Sequence, residues 1–215
     1  MGCGDGLFFD RLAEFGEVEG VEADPAIVNA RGPHAGRIHI QPFDARFRPG
    51  KHYGVILMLD VLEHLDDPQG ALRHAVDLLA DDGALVVTVP AFRSLWTSHD
   101  DLNHHYTRYT KRSFRPLAAE AGLAIDQARY FFHWTCAAKL AVRVKERLWQ
   151  REPRPEAVPA AVVNRALYAL SMFEQQTIGR LPLPIGTSLL VVGRKGNLAP
   201  DAAQRFERSC ELVGQ

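Results

Sequence analysis

The chain has 215 residues, of which 47% are hydrophobic and 24% charged, and a formal net charge of −1. That ordinary globular composition excludes a disordered tail, a collagen-like repeat and a small disulfide scaffold, and a domain of this size buries roughly 70% of its unfolded surface without a staple. The near-zero charge hides an asymmetry: residues 1–90 hold 15 Asp and Glu against 7 Lys and Arg, and residues 91–215 hold 11 against 18.

Residues 7–15 place Leu7, Phe8, Leu12 and Phe15 at helical spacing, closed by Gly16. Residues 18–23 predict a short strand. Asp24-Pro25 predicts a helix start, with Asp24 as N-cap and Pro25 in the first turn. Residues 37–40 read as a strand, and the apolar run within residues 52–59 reads as a strand buried on both faces of a parallel sheet. Residues 66–80 predict a helix with Leu72, Val76 and Leu79 on one face, stopped by Asp81-Asp82-Gly83. Residues 84–89 then form a second buried strand, ended by Pro90.

Beyond Pro90 the pattern changes. Residues 92–109 form a polar, aromatic, histidine-rich loop; residues 113–121 predict a helix ended by Gly122, and residues 123–132 a strand. Residues 134–150 and 160–178 read as helices around a proline-rich loop, residues 151–159. Residues 188–194 are the last strand. The alternation implies an α/β, Rossmann-like doubly wound, mostly parallel sheet with a helical insertion before the last strand. Its expected division is a core of residues 1–132 and 186–196, an insertion of residues 133–185, and a polar tail of residues 197–215.

The apolar runs at residues 55–62 and 84–92 fall short of the ~18 residues a membrane span needs, and no basic-then-apolar leader opens the chain. Three cysteines (Cys3, Cys136 and Cys210) lie far apart without a C-x-x-C pair, which argues for a reducing cytosol and against structural zinc. A cytoplasmic protein is expected, with no metal ligands assigned.

The chain opens Gly2-Cys3-Gly4-Asp5-Gly6 and runs straight into the first helix candidate. Glycines there allow tight turning and close backbone approach to a ligand. Glu22 stands at the end of the next strand, where a carboxylate accepts two hydrogen bonds from a ribose diol. Asp44 follows the second strand candidate, and Leu59-Asp60-Val61-Leu62-Glu63-His64 ends the third. These positions cluster at the carboxyl ends of strands, where open α/β sheets bind ligands. The acidic half suits a cationic cofactor, and the basic half an anionic substrate or membrane surface.

With these motifs the sequence resembles the class I S-adenosylmethionine-dependent methyltransferases. The matching stretches are GCGDG at 2–6, VEADP at 21–25, FDA at 43–45, LDVLEHLDDP at 59–68, DGALVVTVP at 82–90 and SLLVVGRK at 188–195. The resemblance implies S-adenosyl-L-methionine as cofactor. It implies a glycine loop (Gly2, Cys3, Gly4, Asp5, Gly6) along the methionine part, Glu22 with Ala23 at the ribose, and Asp44 with Ala45 near the adenine amine. Leu59 and Asp60 would then line the methionyl side, with His64 shaping the pocket. In that family a strand precedes the glycine loop and carries an acid two positions before the first glycine. The resemblance therefore leads us to expect a start that lacks this strand, and poor cofactor binding until one is restored.

In-line methyl transfer needs an oriented nucleophile and a base to take its proton. The loop after the strand at residues 84–89 supplies His99, His104 and His105 together with Trp96, Arg108 and Tyr109. His99 or His104 is the expected base, and Trp96, His105, Arg108 and Tyr109 the expected acceptor contacts. A subset of the family carries a similar H-D-x-x-x-x-H-x-R-R-Y-T stretch, although Thr107 stands where its first Arg falls. Residues 129–154 hold seven basic and two acidic side chains, with Trp134 and Trp149 at the helix ends. Ala137, Leu140, Ala141, Val144 and Leu148 share one helical face, and Lys139, Arg143 and Arg147 another. Such a helix either packs its stripe on the core or lies on an anionic membrane beside a lipid-linked acceptor. The expected activity is methylation, by preference of an oxygen, on a small or lipid-linked molecule, with peripheral contact to the inner membrane face. Nucleic acid is not an expected partner, because Leu59-Asp60-Val61-Leu62 lacks an N-P-P-Y-type motif. A nicotinamide-dependent oxidoreductase and a non-catalytic membrane-surface scaffold are the alternatives.

Overall fold

A computed structural model describes residues 1–148, 160–177, 179 and 181–196. The proline-rich loop, Trp149, Ile178 and the tail from residue 197 lie outside the described residues. Two parallel strands, β1 (Gly20–Glu22) and β2 (Ile38–Ile40), form one small sheet. A second sheet runs in the order β3 (Tyr53–Leu59), β4 (Leu79–Pro90), β6 (Ser188–Lys195) and β5 (Leu123–Phe131). The helices are α1 (Phe9–Leu12), α2 (Pro68–Asp77), α3 (Ser98–Leu102), α4 (Lys111–Glu120), α5 (Trp134–Leu148) and α6 (Ala161–Gln176). The α/β, Rossmann-like architecture is present. Its sheets are mixed: β1 with β2 and β3 with β4 are parallel, and β6 is antiparallel to both neighbours.

Alternation along β4 buries Leu85, Val87 and Val89 on one face. They meet Met58 of β3, Leu189 and Val191 of β6, Leu72 and Ala75 of α2, and Phe114 and Ala118 of α4 in one core. Caps fix where the two packing helices begin. Asp67 accepts the Gly70 amide with Pro68 in the first turn, and Thr110 accepts the Ser113 amide.

Several expectations need correction. The start of α1 is a single turn that buries Phe9, while Leu7, Phe8 and Phe15 are exposed. No helix follows Asp24-Pro25: the Asp24 carboxylate accepts the Ala26 amide at 2.8 Å, closing a local turn instead of capping a helix. Asp81-Asp82-Gly83 does not terminate α2, which ends at Asp77; these residues lie within β4. A Cβ at Gly83 would sit 2.8 Å from the Tyr53 carbonyl, so glycine lets β3 and β4 close there. Nor is β3 buried on both faces, since Val55 is 59% exposed.

That exposure has a topological cause. Among the described residues β1 and β3 do not pair, and a cavity of about 930 Å³ lies between them, lined by Gly20 and Val21 on one side and Val55 and Leu57 on the other. Residues 1–3 bridge the two strands at their carboxyl ends. The Met1 ammonium donates to the Leu57 carbonyl (2.8 Å), and the Gly2 amide donates to that of Val21 (2.9 Å). At the opposite end Glu19 accepts the Tyr53 hydroxyl and pairs with Lys51 at 2.7 Å.

Partial burial works against the Glu19 carboxylate, but hydrogen bonds from Lys51 and Tyr53 outweigh it and hold its pKa below the usual range. A pKa depressed on folding means that the contribution is complete above the ordinary glutamate range and is lost as pH falls below about 4. Glu19→Gln is expected to cost about 1 kcal/mol at pH 7, with the difference from wild type shrinking in acid. Denaturant titrations at several pH values check this, and a pH-independent loss would refute it.

Candidate functional site

The opening loop turns because Gly2, Gly4 and Gly6 all take positive φ (61°, 53° and 79°), a region costly for other residues. Its Gly2 and Cys3 amides both donate to Val21 at the carboxyl end of β1. Glu22, the last residue of β1, reaches under the loop. One carboxylate oxygen accepts the Gly4 amide at 2.8 Å, and the other accepts the Asp24 amide at 3.1 Å. Each oxygen keeps lone-pair capacity for a further donor. Asp5 accepts the Asn29 amide and ties the loop to the segment after β1. Cys3 packs against Gly20, where a Cβ would lie 2.4 Å from its sulfur.

Ala23 and Ala45 are exposed beside the two strand ends. Asp44, after β2, is held by Arg46 through its Nε and Nη2 atoms at 3.0 and 2.6 Å. The Arg46 side chain, then its amide, pulls the Asp44 carboxyl down to about 2. Leu59 ends β3, and Asp60 follows at φ 51°, a strained conformation for a residue with a side chain. Asp60 is held there by donation of its amide to the Thr88 carbonyl (2.9 Å). Desolvation of its carboxyl raises the pKa, with partial relief from Thr88, His105 and His64. Glycine loop, Glu22, Asp44 and Asp60 thus stand at the carboxyl ends of β1, β2 and β3. Such a set fits a nucleoside with a vicinal diol and a cationic extension: carboxylates for hydroxyls and positive charge, with open backbone for close approach.

The histidine-rich segment is more ordered than a polar loop. It contains a 3-10 turn (Arg93–Leu95) and α3, opened by a capping box between Thr97 and Asp100. Asp100 has no solvent exposure and accepts five hydrogen bonds: from the Thr97 amide and hydroxyl, from His105 Nδ1 at 2.8 Å, and from Arg108 Nε and Nη2 at 2.8 and 3.0 Å. Burial opposes its ionisation, yet the bonds from His105, Arg108 and Thr97 hold the carboxyl far below the usual carboxylate range. Arg108 places its remaining nitrogen on the Ala91 carbonyl, at the end of β4. Its fork is therefore spent internally, where the sequence pointed to an anionic acceptor. Tyr109 is likewise in the core, its phenol pushed up to about 12 by burial and then by Glu63.

His99 faces the Asn103 side chain at 2.9 Å, and Trp96 donates to Asp101 at 2.9 Å. His104 is exposed at φ 55°. The rings of His64 and His105 meet edge-on with centroids 4.6 Å apart. Burial, then His105, lowers the His64 pKa, with His104 adding to it. The structure therefore gathers Asp60, His64, His104 and His105 at one strand end. Sequence reasoning missed Glu63 and Asp100. The capping-box spacing from Thr97 to Asp100 carried a readable signal for the second, whereas nothing local marks the first.

The amphipathic helix lies the other way round from the packing expectation. Lys139, Arg143 and Glu146 face the protein, and Leu140 and Leu148 are 49% and 68% exposed. Glu146 accepts the Ser98 hydroxyl at 2.6 Å, and Arg143 donates to the Ser94 carbonyl. Buried Glu174 of α6 accepts the His133 and Trp134 amides, satisfying free donors at the start of α5.

A methyltransferase-domain family model matches residues 1–128, more than half of the chain. A curated ubiquinone biosynthesis O-methyltransferase from Coxiella burnetii is 26% identical over 92 residues, which span 40% of this chain and 39% of that protein. The match thus covers about two fifths of that relative's length. A solved complex between the Haloferax volcanii Trm112 methyltransferase activator and a methyltransferase aligns with TM-score 0.55 and 17% identity, over 91% of this chain and 80% of the other. A SAM-dependent methyltransferase from Archaeoglobus fulgidus aligns with TM-score 0.53 and 13% identity, over 90% and 83%. At these identities the likeness is one of fold.

Removing one partner of a buried ion pair leaves an uncompensated charge, so Asp100→Ala is expected to cost about 3–5 kcal/mol. The double replacement Asp100→Leu with Arg108→Met is expected to cost less than the single change. Urea denaturation of the three proteins checks the order, and a single-mutant loss under about 1 kcal/mol would contradict the clamp.

Proposed function

The chain belongs to the methyltransferase-domain family of S-adenosylmethionine-dependent enzymes, and from that premise we propose that it methylates an oxygen of a small or lipid-linked acceptor. The observation that carries the reading is the Gly2–Gly6 loop locked over Glu22 by the 2.8 Å bond from the Gly4 amide. In this reading Glu22 takes the ribose hydroxyls, Asp44 lies toward the adenine after sharing its carboxylate with Arg46, and Asp60 faces the sulfonium end. When bound, S-adenosyl-L-methionine supplies an electrophilic methyl group.

His104 is the preferred base, being exposed and near His64 and Asp60, with His99 as its competitor. Trp96 and the segment under α5 border the acceptor side. Support for an oxygen acceptor comes from the distant likeness to a ubiquinone biosynthesis O-methyltransferase. Support for an apolar, membrane-associated acceptor comes from the outward apolar stripe of α5, although no described helix is long and apolar enough to cross a membrane.

Calorimetry with S-adenosylhomocysteine and with NAD separates the reading from a nicotinamide enzyme. S-adenosylhomocysteine is expected to bind, weakly, and NAD not to, and Glu22→Ala to weaken binding at least about tenfold further, or 1.4 kcal/mol. Binding of NAD alone would overturn the reading. With a polyprenylated phenol as acceptor, His104→Ala is expected to lower kcat by about 10²–10⁴-fold. Leu140→Glu is expected to reduce flotation with anionic vesicles while leaving homocysteine-nucleoside binding intact.

A further inference from the structure

Beside the carboxyl end of β3, three side chains converge that neither the core nor the nucleoside reading uses. Glu63 sits in the 3-10 turn after β3 (Leu62–His64), is 1% exposed, and has a buried carboxylate oxygen, Oε2, with no hydrogen-bond partner among the described residues. A buried acceptor left without a donor calls for an unseen partner. His105 spends Nδ1 on Asp100 at 2.8 Å, and His64 is bonded to the backbone of Asn103. Each ring therefore has one nitrogen engaged and a second for another partner. One ligand atom from each of Glu63, His64 and His105 lies within 4.8 Å of the others.

This is the donor arrangement of a metal centre. Metal-binding histidines give one ring nitrogen to a carboxylate or carbonyl, which fixes the tautomer and aims the other at the ion. Two imidazoles and one carboxylate suit a borderline divalent cation of the zinc class, with a fourth position left for water or a substrate oxygen. Proteins bind zinc in this way without cysteine, so thiolate spacing gave no hint of it.

We propose that Glu63, His64 and His105 bind one divalent transition-metal ion, Zn²⁺ or a close analogue, with Asp100 as the positioning residue that aims His105. The neighbouring loop backbone supports the geometry: the Tyr106 amide donates to the Glu63 carbonyl at 2.7 Å, locking the His105 segment onto the Glu63 turn. A cation there would offer its open position to an oxygen of an acceptor, a use that rests on the methyl-transfer reading; the binding site itself does not.

The test is zinc titration of chelator-treated protein, without cofactor, followed by calorimetry, thermal shift and X-ray absorption. One equivalent is expected to bind, raise Tm, and show nitrogen and oxygen donors. Glu63→Gln and His105→Gln are each expected to weaken binding at least 100-fold, Asp100→Asn about 10–100-fold, and His52→Gln, at an exposed position, not at all. Since Asp100→Asn also loosens the fold, Glu63→Gln is the decisive variant, because it exchanges one carboxyl oxygen for an amide nitrogen that cannot ligate an ion and keeps the side chain's shape. Sulfur donors in the absorption spectrum, or equal affinity of Glu63→Gln and wild type, would overturn the site. Failure to bind S-adenosylhomocysteine in the earlier calorimetry would sink the methyl-transfer reading and leave this result standing.

Discussion

The buried Asp100 carboxylate is the point on which the functional face turns. It is fully enclosed, and five hydrogen bonds from Thr97, His105 and Arg108 compensate its charge. Arg108 carries the restraint onward to the Ala91 carbonyl, so the polar segment after β4 is anchored to the end of the strand it leaves. Without that anchor residues 92–109, rich in charge and histidine, would be a solvated loop. With it, His105 meets His64, and the Glu63 turn is clamped from above. An ion pair this deep is weak evidence for stability; its value here is geometric, because it permits one arrangement of the segment.

A second constraint acts on the cofactor side. The glycine loop belongs to the small β1–β2 sheet, whereas Asp60 and the histidines belong to the larger one. Hydrogen bonds join them at the Met1 and Gly2 contacts at the carboxyl ends and at Glu19 with Tyr53 and Lys51 at the other. Between these ties lies the cavity flanked by Val21 and Val55. The distance from Glu22 to Asp60, which sets how a nucleoside would be spanned, therefore depends on these bonds, on Val21 and Phe47 packing into the shared core, and on His74 of α2 at the Phe47 carbonyl (3.0 Å), and not on a continuous ladder. Among the described residues the backbone groups of β3 facing that gap have no strand partner, and Val55 beside it is exposed.

The α5–α6 pair shows how polarity assigns a helix face. Glu146 and Arg143 bind the loop at Ser94 and Ser98, and Glu174 satisfies the first amides of α5. Polar groups thus face the body and the apolar stripe faces out, a distribution that a water-facing helix does not favour and that an apolar acceptor or bilayer would cover. The same loop that α5 holds carries Trp96 and leads to the histidines, so the outer apolar face and the reacting end are mechanically joined.

Much of this was legible in the chain itself. The apolar run in residues 84–89 and helical periodicity in residues 66–80 are local signals, and they located β4, α2 and the sheet's carboxyl-end residues, although α2 ends at Asp77 and β4 already begins at Leu79. Positive φ at Gly2, Gly4 and Gly6 follows from residue type, as does the carboxylate that ends β1. What local signals cannot carry is the identity of a distant partner. Phe9 instead of Phe8 turns inward because of what β1 and β2 present to it, and Asp24 closes a turn because no helix had a surface to pack on. Arg108 pairs with a carboxylate eight residues away instead of a ligand, and Glu63 Oε2 is left without a donor among the described residues. Spacing and propensity act over a few residues; which side chain is desolvated, and which charge is neutralised by which, is decided when remote segments meet.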